Sequence, residues 1–511
     1  MARSFAHLNV TTAYSAHFGV SWPEELVEVA AADGAHILGC TDRDGLYGMA
    51  KHLKACLAHG IAPVVGVNLA VMWDSKFTVD GTPLPAGRVT ILAASAANVG
   101  VGQAHNLGAG YQALVRLISR AHTQLTHDDR PYILVSQLAE AAGTSPVLQV
   151  LIGPETDVAR LMVQRKYPAG RTRLKLWKQV LPRDSVSVEI VSHLSLPTER
   201  LSTSQAVRML RASADLDLPA ILTNAVRYAT PDGAATADVV DAARALSSLD
   251  KLTDMQPNGQ GWLKTAETMH ALAYEITHEA GLGAAAARWL LDNTQQLAER
   301  CALDPAEDIG WGQPRVPEFD IIGIDGDPNT VLTQRARAGV ALRFGHLDPG
   351  TSHYNRVQHR LDHELGIIQD LGFSSYFLTV AEVVEMIEDR NVRVSARGSG
   401  ASSLVNYALR ISHVDPIEHD LIFERFLSQD RSTLPDIDID VESARRHEIY
   451  HAMFDRFGAE RTTLMSMQNG YRVRGAVRDA GRALGLEREH IDHLAKKLWR
   501  FSASDFRQAL E

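Results

Sequence analysis

Short apolar runs alternate with helical periodicities over the first 230 residues of the chain. The runs suited to buried strands lie at residues 37–42, 62–71, 88–95, 132–138, 185–191 and 219–224. Helical patterns separate several of them, and one such pattern covers residues 49–58. Strands that alternate with helices are typical of an α/β barrel or a layered α/β fold. The stretches 143–154 and 165–178 are predicted to be loops or poorly packed segments.

Helical patterns replace the strands in the middle of the chain. Alanine-rich stretches with helical spacing run from about residue 234 to about residue 310. The Gly/Pro-rich stretch 308–328 is predicted to be a linker, and a second helical stretch follows from Pro328 to about Asp370. Polar residues most often interrupt the apolar pattern after Gly372. The candidate catalytic and binding residues lie in this part of the sequence.

Composition excludes several classes of protein. With 511 residues, 45% of them hydrophobic, the chain is long enough for several buried cores. Its net charge of −10 excludes a globally basic surface, so any nucleic-acid surface must be local. Three separated cysteines form neither a disulfide framework nor a metal-binding spacing. The N-terminus lacks a secretory pattern and no run reaches ~18 apolar residues, so we expect a soluble, cytoplasmic protein.

The strongest chemical motif is the alternation LPDIDID at residues 434–440. Because side chains alternate across a strand, Asp436, Asp438 and Asp440 are predicted to project from one face and the two isoleucines from the other. Neighbouring carboxylates repel each other unless a cation neutralises them, and their oxygens suit Mg²⁺ or Mn²⁺. The alternative is an edge strand with a solvated acidic face.

A Gly/Ser-rich segment, SARGSGASSLVNYAL (395–409), precedes the acidic motif. Gly398 and Gly400 permit a tight turn, while Ser399 and Ser403 supply hydroxyls. Such a turn at the start of a helix presents N–H groups and the positive end of the helix dipole to a phosphate. The guanidinium of Arg397 also matches phosphate oxygens. The alternative is an ordinary helix N-cap.

A further arginine lies between the turn and the acidic motif, in the segment FERFL (423–427). Arg425 precedes Asp436 by eleven residues and is a candidate to bind an anion near it. The alternative is a surface ion pair between Arg425 and Glu424 or a neighbour.

Arginines recur at helical spacing near the end of the sequence. Arg474, Arg478 and Arg482 are predicted to share one helical face, which could neutralise DNA phosphates without reading base sequence. The alternative is a solvated face that pairs with nearby acids, namely Asp479, Glu487 and Glu489.

Residues 372–440 closely resemble the palm core of the C-family bacterial replicative polymerases, the family of the DNA polymerase III alpha subunit. The resemblance rests on G-F-x-x-Y-F-L-x-V, R-G-S-x-x-x-S-L-V, V-D-P, F-E-R-F-L and P-D-x-D-x-D, which occur in this order. Residues 467–474 (MQNGYRVR) depart from the family, which usually has a phenylalanine-glycine-threonine turn there. A weaker resemblance extends through the first 230 residues.

The resemblance implies attack of a primer 3′-hydroxyl on a dNTP, with release of pyrophosphate. Asp436 and Asp438 would bind two catalytic Mg²⁺ ions, and Asp440 is a weaker candidate because the third acidic position varies among relatives. Gly398 and Ser399 would hold the triphosphate. The supporting contacts implied are Arg397, Ser403 and Arg425. The implied partners are dNTPs, primer-template DNA bound by Arg474, Arg478 and Arg482, and replisome subunits such as the sliding clamp.

Residues 1–230 are similar to the PHP (polymerase and histidinol phosphatase) domain, whose active members hold metal ions with His, Asp and Glu at the C-terminal ends of barrel strands. The resemblance implies a degenerate site formed by His7, Asn9, Thr11, Asp42, Arg43, Asn68, Ala225 and Arg227. Amides and guanidinium groups replace imidazoles and carboxylates, and arginine cannot bind a cation. We expect a structural domain, in which Arg43 and Arg227 pair with Asp42.

The implied fold class is α/β, in four parts. These are a PHP-type (β/α) barrel-like domain at 1–275, a helical connection and start of the palm at 276–371, a mixed α+β nucleotidyltransferase-type palm core at 372–466, and the beginning of a helical thumb at 467–511. The family's third metal-binding carboxylate, its fingers and its clamp-binding segment would lie beyond Glu511. We therefore expect little polymerase activity from this chain alone.

Three functions are compatible with these patterns. The first is DNA-directed DNA polymerisation in replication or repair. The second is a catalytically incomplete fragment that binds DNA or dNTPs. The third, a PHP metal-dependent phosphoesterase or 3′-5′ exonuclease, is disfavoured because the metal ligands are replaced.

Overall fold

The computed structural model describes residues 4–77, 81–101, 107–126, 130–143, 146–253, 255–429, 434–458, 461–465 and 470–497. Part of the divergent segment 467–474, and residues 498–511 of the predicted thumb, lie outside the described residues. The chain divides into two units. The first, called the sheet unit below, comprises Met1–Trp311 and Gln468–Glu511, and the second comprises Gly312–Met467.

A seven-stranded sheet forms the centre of the sheet unit. Its strands are β1 (Ile37–Cys40), β2 (Ala62–Trp73), β3 (Leu84–Ala93), β4 (Tyr132–Leu134), β5 (Leu148–Ile152), β6 (Val186–Ile190) and β7 (Ala220–Leu222). The order is β1-β2-β3-β5-β6-β7, with β4 paired to β2. β3 runs antiparallel to both of its neighbours, and the other pairs are parallel.

The N-terminal segment joins the two edges of this sheet. His7 forms a parallel bridge with Leu38 of β1, and Val10 forms one with Val226, just after β7. β5, β6 and β7 are buried along their whole length. This suits the largely apolar sequences of β5 and β7, whereas β6 also buries Ser187 and Glu189. The predicted α/β class with a barrel-like arrangement is confirmed.

Helices accompany the sheet along the chain. They are α1 (Pro23–Ala32), α2 (Met49–His59), α3 (Ala96–Val99), α4 (Ala109–His122), α5 (Val135–Ala142), α6 (Asp157–Val163), α7 (Tyr167–Val180), α8 (Thr203–Asp215), α9 (Gly233–Arg244), α10 (Ala266–Glu279) and α11 (Gly283–Cys301). α10 contains the predicted domain limit at residue 275 and α11 lies beyond it. Both helices nevertheless contribute to the core of the sheet unit, through side chains such as Met269 and Leu290.

Three local predictions in the sheet unit are wrong. Residues 132–138 do not form one strand, because β4 ends at Leu134 and α5 begins at Val135. The predicted loop at 143–154 contains β5. The stretch 165–178 is mostly α7, whose Leu174 and Trp177 lie three residues apart and are fully buried. The basic residues around these two side chains mask the helical spacing in the sequence.

Helices and a two-stranded sheet form the second unit. The helices are α12 (Pro328–Phe344), α13 (Ser352–Asp370), α14 (Ser374–Glu388), α15 (Leu404–Ala408) and α16 (Arg446–Phe457). The strands β8 (Val394–Arg397) and β9 (Asp438–Val441) run antiparallel. Phe377, Phe423 and Phe426 pack edge to face in the core of this unit, with neighbouring ring centroids 6.1 Å apart. The predicted linker also contributes Ile322 to this core.

Two more helices, α17 (Val473–Ala483) and α18 (Arg488–Lys497), group with the sheet unit. α17 packs against α9 of that unit. In the part of the chain that the structure describes, no single helix is long and apolar enough to cross a membrane. α13 and α14 meet the length and composition criteria only together, and the pair is bent by 112°.

Candidate functional site

The acidic motif forms the exposed face of β9 and of the residues just before it. Asp436, Asp438 and Asp440 are exposed, whereas Ile437 is buried and Ile439 is half-buried against the core of the second unit. The predicted alternation is therefore confirmed: the three carboxylates share one face, and the isoleucines hold the other face to the core.

The Gly/Ser turn begins where β8 ends and lies against this acidic face. In the antiparallel pair, Arg397 at the end of β8 is opposite Asp438. Gly398 follows with a φ of +70°, a conformation that L side chains rarely adopt, and opens a 3₁₀ turn over Gly398–Ser402. A Cβ atom built on Gly398 would lie 3.4 Å from Oδ2 of Asp438. The turn and the Asp438 carboxylate therefore border the same exposed space.

A buried carboxylate occupies the N-terminus of α15. Glu364 of α13 accepts hydrogen bonds from the Ser403 hydroxyl at 2.9 Å and from the N–H groups of Leu404 and Val405 at 3.0 and 3.1 Å. Arg360 donates to the same carboxylate at 2.6 Å. Burial raises the pKa of Glu364, and these donors oppose the rise. Ser403 is fully buried, so it caps α15 and does not face the space beside Asp438.

Arg397 lies at the edge of this space and pairs with Asp440. Its Nε is 3.1 Å from Oδ2 of Asp440, and the two side chains are 67% and 62% exposed. An ion pair this exposed contributes only ~0–1 kcal/mol, so a stronger anion can displace the carboxylate. Among the described residues, neither Asp436 nor Asp438 has an ion-pair partner.

Arg425 is exposed in a 3₁₀ turn, Phe423–Arg425. The alternative ion pair with Glu424 does not form, because Glu424 lies 2.9 Å from Nε2 of His363. No described residue forms an ion pair with the Arg425 guanidinium. It therefore remains a candidate for binding an anion.

Tyr376 of α14 is a site residue that the sequence analysis did not single out. Its hydroxyl accepts a hydrogen bond from the N–H of Ile437 at 3.3 Å, within the acidic motif. Burial raises the pKa of Tyr376, and the charges of Asp436 and Asp438 raise it further. Tyr376 therefore holds the backbone between the two acids. Its only sequence signal is its place in G-F-x-x-Y-F-L-x-V.

The sheet unit contains a cavity of about 460 Å³ at the predicted degenerate metal site. The predicted residues that line it are Asn9, Thr11, Arg43, Asn68, Ala225 and Arg227. His7 is buried, with Nε2 2.9 Å from the Lys264 carbonyl oxygen, and burial lowers the pKa of His7 to about 4. Within the described ranges, no group of three or more His, Cys, Asp and Glu side chains is arranged to bind a metal ion.

Asp42 is held by neutral donors. Its carboxylate accepts hydrogen bonds from the N–H and hydroxyl of Thr12, from the Ser15 hydroxyl and from the N–H of Gly48. Burial raises the pKa of Asp42, and these donors oppose the rise. The local turn thus satisfies Asp42 without a cation.

The two arginines of the predicted site pair elsewhere. Arg43 lies 2.6 Å from Glu155 and stacks 3.3 Å from the ring centroid of Phe18. Arg227 makes two hydrogen bonds to Asp241, at 2.8 and 2.9 Å. The prediction that Arg43 and Arg227 pair with Asp42 is therefore wrong, since each has its own carboxylate.

Glu189 of β6 lines the cavity but was not among the predicted site residues. Its Oε1 accepts hydrogen bonds from Asn9 at 2.7 Å and from Thr223 at 2.6 Å. Burial raises the pKa of Glu189 to about 7, and the charge of Glu155 adds to the rise. The sequence signal was a lone acid inside an apolar strand, since glutamate is rarely buried without a specific environment.

The three arginines predicted to contact DNA are exposed on α17. Arg478 pairs with Asp492 of α18 at 3.0 Å, whereas no described residue forms an ion pair with Arg474 or Arg482. The predicted shared face is present but partly paired, and its contact with DNA stays a prediction.

Comparisons with known proteins match both units. Residues 7–193 match the PHP domain family, and residues 330–511 match the family described as bacterial DNA polymerase III alpha NTPase domain. Error-prone DNA polymerases from Nocardia farcinica and Symbiobacterium thermophilum share 31% and 30% sequence identity with this chain. Each alignment covers 98% of the chain. The solved structure of an amidohydrolase from Chromobacterium violaceum is 13% identical in sequence to this chain. The structural match covers 44% of this chain and 88% of the amidohydrolase. Its TM-score is 0.27, so nothing is concluded from the match.

This chain spans less than half the length of the curated relatives it matches, 44% and 43% for these two polymerases. The family matches fall in the order expected from the sequence, with a PHP domain first and a polymerase-family domain after it. DNA polymerases and PHP domains in general use divalent metal ions. The chain therefore belongs to the C family of bacterial DNA polymerases, the family of the DNA polymerase III alpha subunit.

Proposed function

We propose that this chain is part of a DNA-directed DNA polymerase that adds a dNTP to a primer 3′-hydroxyl in DNA repair or replication. The proposed nucleotide and metal site is the space between Asp436, Asp438 and the Gly398–Ser402 turn. The observation that carries the proposal is the 3.4 Å separation between the Asp438 carboxylate and the Cβ position of Gly398. The names of the matching error-prone polymerases support it.

The donor set fits a divalent cation. The Asp436 and Asp438 carboxylates are exposed and lack ion-pair partners among the described residues. Proteins bind Mg²⁺ through one or two carboxylates together with substrate phosphates. Two Mg²⁺ ions would neutralise the triphosphate and lower the pKa of the attacking hydroxyl. Asp440 is a weaker ligand candidate because Arg397 already holds it.

Other groups of the chain would position the substrate. The Gly398–Ser402 turn would offer N–H groups to the triphosphate, and Arg397 would exchange Asp440 for a phosphate oxygen. Arg425 would contribute a second guanidinium, and Tyr376 would hold the backbone between the acids. Such positioning and charge neutralisation account for most of catalysis in phosphoryl transfer. Primer-template DNA would contact the exposed arginines of α17.

The proposal is tested by Mg²⁺-dependent binding of dATP to the 511-residue chain. Asp436→Asn combined with Asp438→Asn should weaken that binding by at least about tenfold, since each carboxylate makes a charge-assisted contact. Asp455→Asn, which changes an exposed acid on α16, is the matched control and should bind as the unmodified chain does. Equal Mg²⁺-dependent affinity in the double variant would contradict the proposal.

A further inference from the structure

The cavity of the sheet unit is rich in guanidinium groups. Among the described residues, five arginines line it against two glutamates, and the arginines are Arg43, Arg88, Arg160, Arg200 and Arg227. A guanidinium group cannot bind a cation but matches phosphate oxygens. This cavity therefore has the donor set of an anion site.

Ion pairs fix three of these arginines in position. Arg43 lies 2.6 Å from Glu155, Arg88 lies 2.7 Å from Asp44, and Arg227 lies 2.8 Å from Asp241. Burial lowers the pKa of Arg43 only to about 10, so this side chain stays charged at neutral pH. Asp44 and Asp241 are not part of the cavity lining, whereas Glu155 is. The donors that face the cavity are thus preorganised.

Two further groups in the lining are available to a ligand. Thr11 is only 4% exposed, and its hydroxyl forms no hydrogen bond with any described residue. The exposed Arg160 guanidinium likewise has neither a hydrogen bond nor an ion pair with the described residues. The Thr11 hydroxyl can therefore donate to, or accept from, an oxygen of a ligand in the cavity without giving up a bond to the described residues.

We propose that this cavity binds a small molecule through a phosphate or pyrophosphate group, with guanidinium groups in place of metal ions. Its volume of about 460 Å³ is within the roughly 300–1,000 Å³ of ordinary ligand sites, and so leaves room for more than one phosphate group. The fixed arginines supply attraction, and Arg160 and Thr11 supply donors that are not otherwise engaged. The site binds the group and breaks no bond in it.

The test is calorimetric titration of the 511-residue chain in EDTA with inorganic phosphate, pyrophosphate and dAMP in turn. We expect saturable binding of at least one of these probes, and the probe that binds identifies the source of the phosphate group. EDTA silences the site at Asp436 and Asp438, so the asparagine double variant should bind equally. The titration in EDTA therefore tests the cavity alone, and its result does not depend on whether the proposed polymerase site binds dNTP.

Two variants locate the binding. Arg160→Gln should weaken it by about tenfold, the effect of losing one charge-assisted hydrogen bond, and Thr11→Val should weaken it by a few-fold. Arg183→Gln, an exposed arginine outside the cavity, is the matched control and should change nothing. Circular dichroism confirms that each variant is folded. The proposal is overturned if no probe binds saturably, or if neither lining variant weakens the binding.

Discussion

The two candidate sites of this chain differ in charge and in the way that charge is held. In the second unit, Asp436 and Asp438 are exposed and have no counter-ion among the described residues. In the sheet unit, Arg43 and Arg227 are largely buried and each is fixed by a carboxylate. Unneutralised acids attract a cation, whereas fixed guanidinium groups repel one. This difference in charge is the basis of the two proposals, a cation site at the exposed acids and an anion site among the fixed arginines.

The largest expected effect is on the support of the acidic site. Glu364→Ala would leave Arg360 and the donors at the start of α15 without their buried acceptor. We expect the second unit to lose ~3–5 kcal/mol of unfolding free energy, the usual cost of removing one partner from a buried ion pair. Urea unfolding measures it. Asp370→Ala, at an exposed position on the same helix, should change stability little. A loss below ~1 kcal/mol in Glu364→Ala would contradict the account.

The glycine turn is the next point at which the acidic site can be broken. Gly398→Ala would place a Cβ 3.4 Å from the Asp438 carboxylate at a φ of +70°. We expect a loss of ~1–2 kcal/mol in stability from the left-handed backbone and about tenfold weaker Mg²⁺-dependent dATP binding, measured by calorimetry. Gly366→Ala is the control: nothing lies within 4 Å of its Cβ position in α13, so it should stabilise the chain by ~0.5–1 kcal/mol. Equal dATP affinity in both variants would exclude a role for the turn.

The basic site should respond to pH through Glu189, whose pKa burial raises to about 7. Below pH 7 the group is neutral, and above it the added negative charge repels an anion. Sulfate affinity should therefore fall by a few-fold as pH rises from about 6 to about 7.5, and Glu189→Gln should remove the slope. Sulfate does not titrate in this range.

The other groups that face Glu189 keep their charge over this interval. His193 stays neutral because burial lowers its pKa to about 4, the pKa of Glu155 is lowered by Arg43 despite its burial, and the arginines stay protonated. Calorimetry with sulfate at several pH values makes the measurement. An unchanged slope in Glu189→Gln would assign the pH dependence to another group.

The smallest expected effect concerns the arginines of α17. Arg474→Gln or Arg482→Gln should weaken duplex DNA binding a few-fold and reduce the salt slope by about 1, as for one lost phosphate contact. Arg478→Gln should do less, because Asp492 already neutralises Arg478. Fluorescence anisotropy at several salt concentrations measures the slopes. If the salt dependence of DNA binding is the same in all three variants and in the unmodified chain, the arginines of α17 do not bind DNA.

The parts of the acidic site that depend on neighbouring residues in the sequence could be predicted from the sequence. The alternation around Asp436 and Asp438 specifies a strand face, and Gly398 marks a position with positive φ. Glu364 and Tyr376 could not be found in this way. Each reaches the site from a helix distant in sequence, and only tertiary packing reveals its hydrogen bonds.

The sheet unit shows the same limit. The class of fold follows from apolar strands that alternate with helices, but α7 was missed because only Leu174 and Trp177 mark its buried face. The partners of Arg43 and Arg227 were also mispredicted. Asp42 is adjacent to Arg43 in sequence, yet the acids that hold the two arginines, Glu155 and Asp241, come from other elements.

The central claim is that the acidic face of β9 and the Gly398–Ser402 turn bind a divalent cation and a triphosphate together. A crystal of the 511-residue chain soaked with Mn²⁺ and a non-hydrolysable dNTP tests it most directly. The account predicts anomalous density about 2 Å from carboxylate oxygens of Asp436 and Asp438, with the phosphates against the turn. Mn²⁺ and phosphates bound elsewhere, with these acids left free, would contradict it.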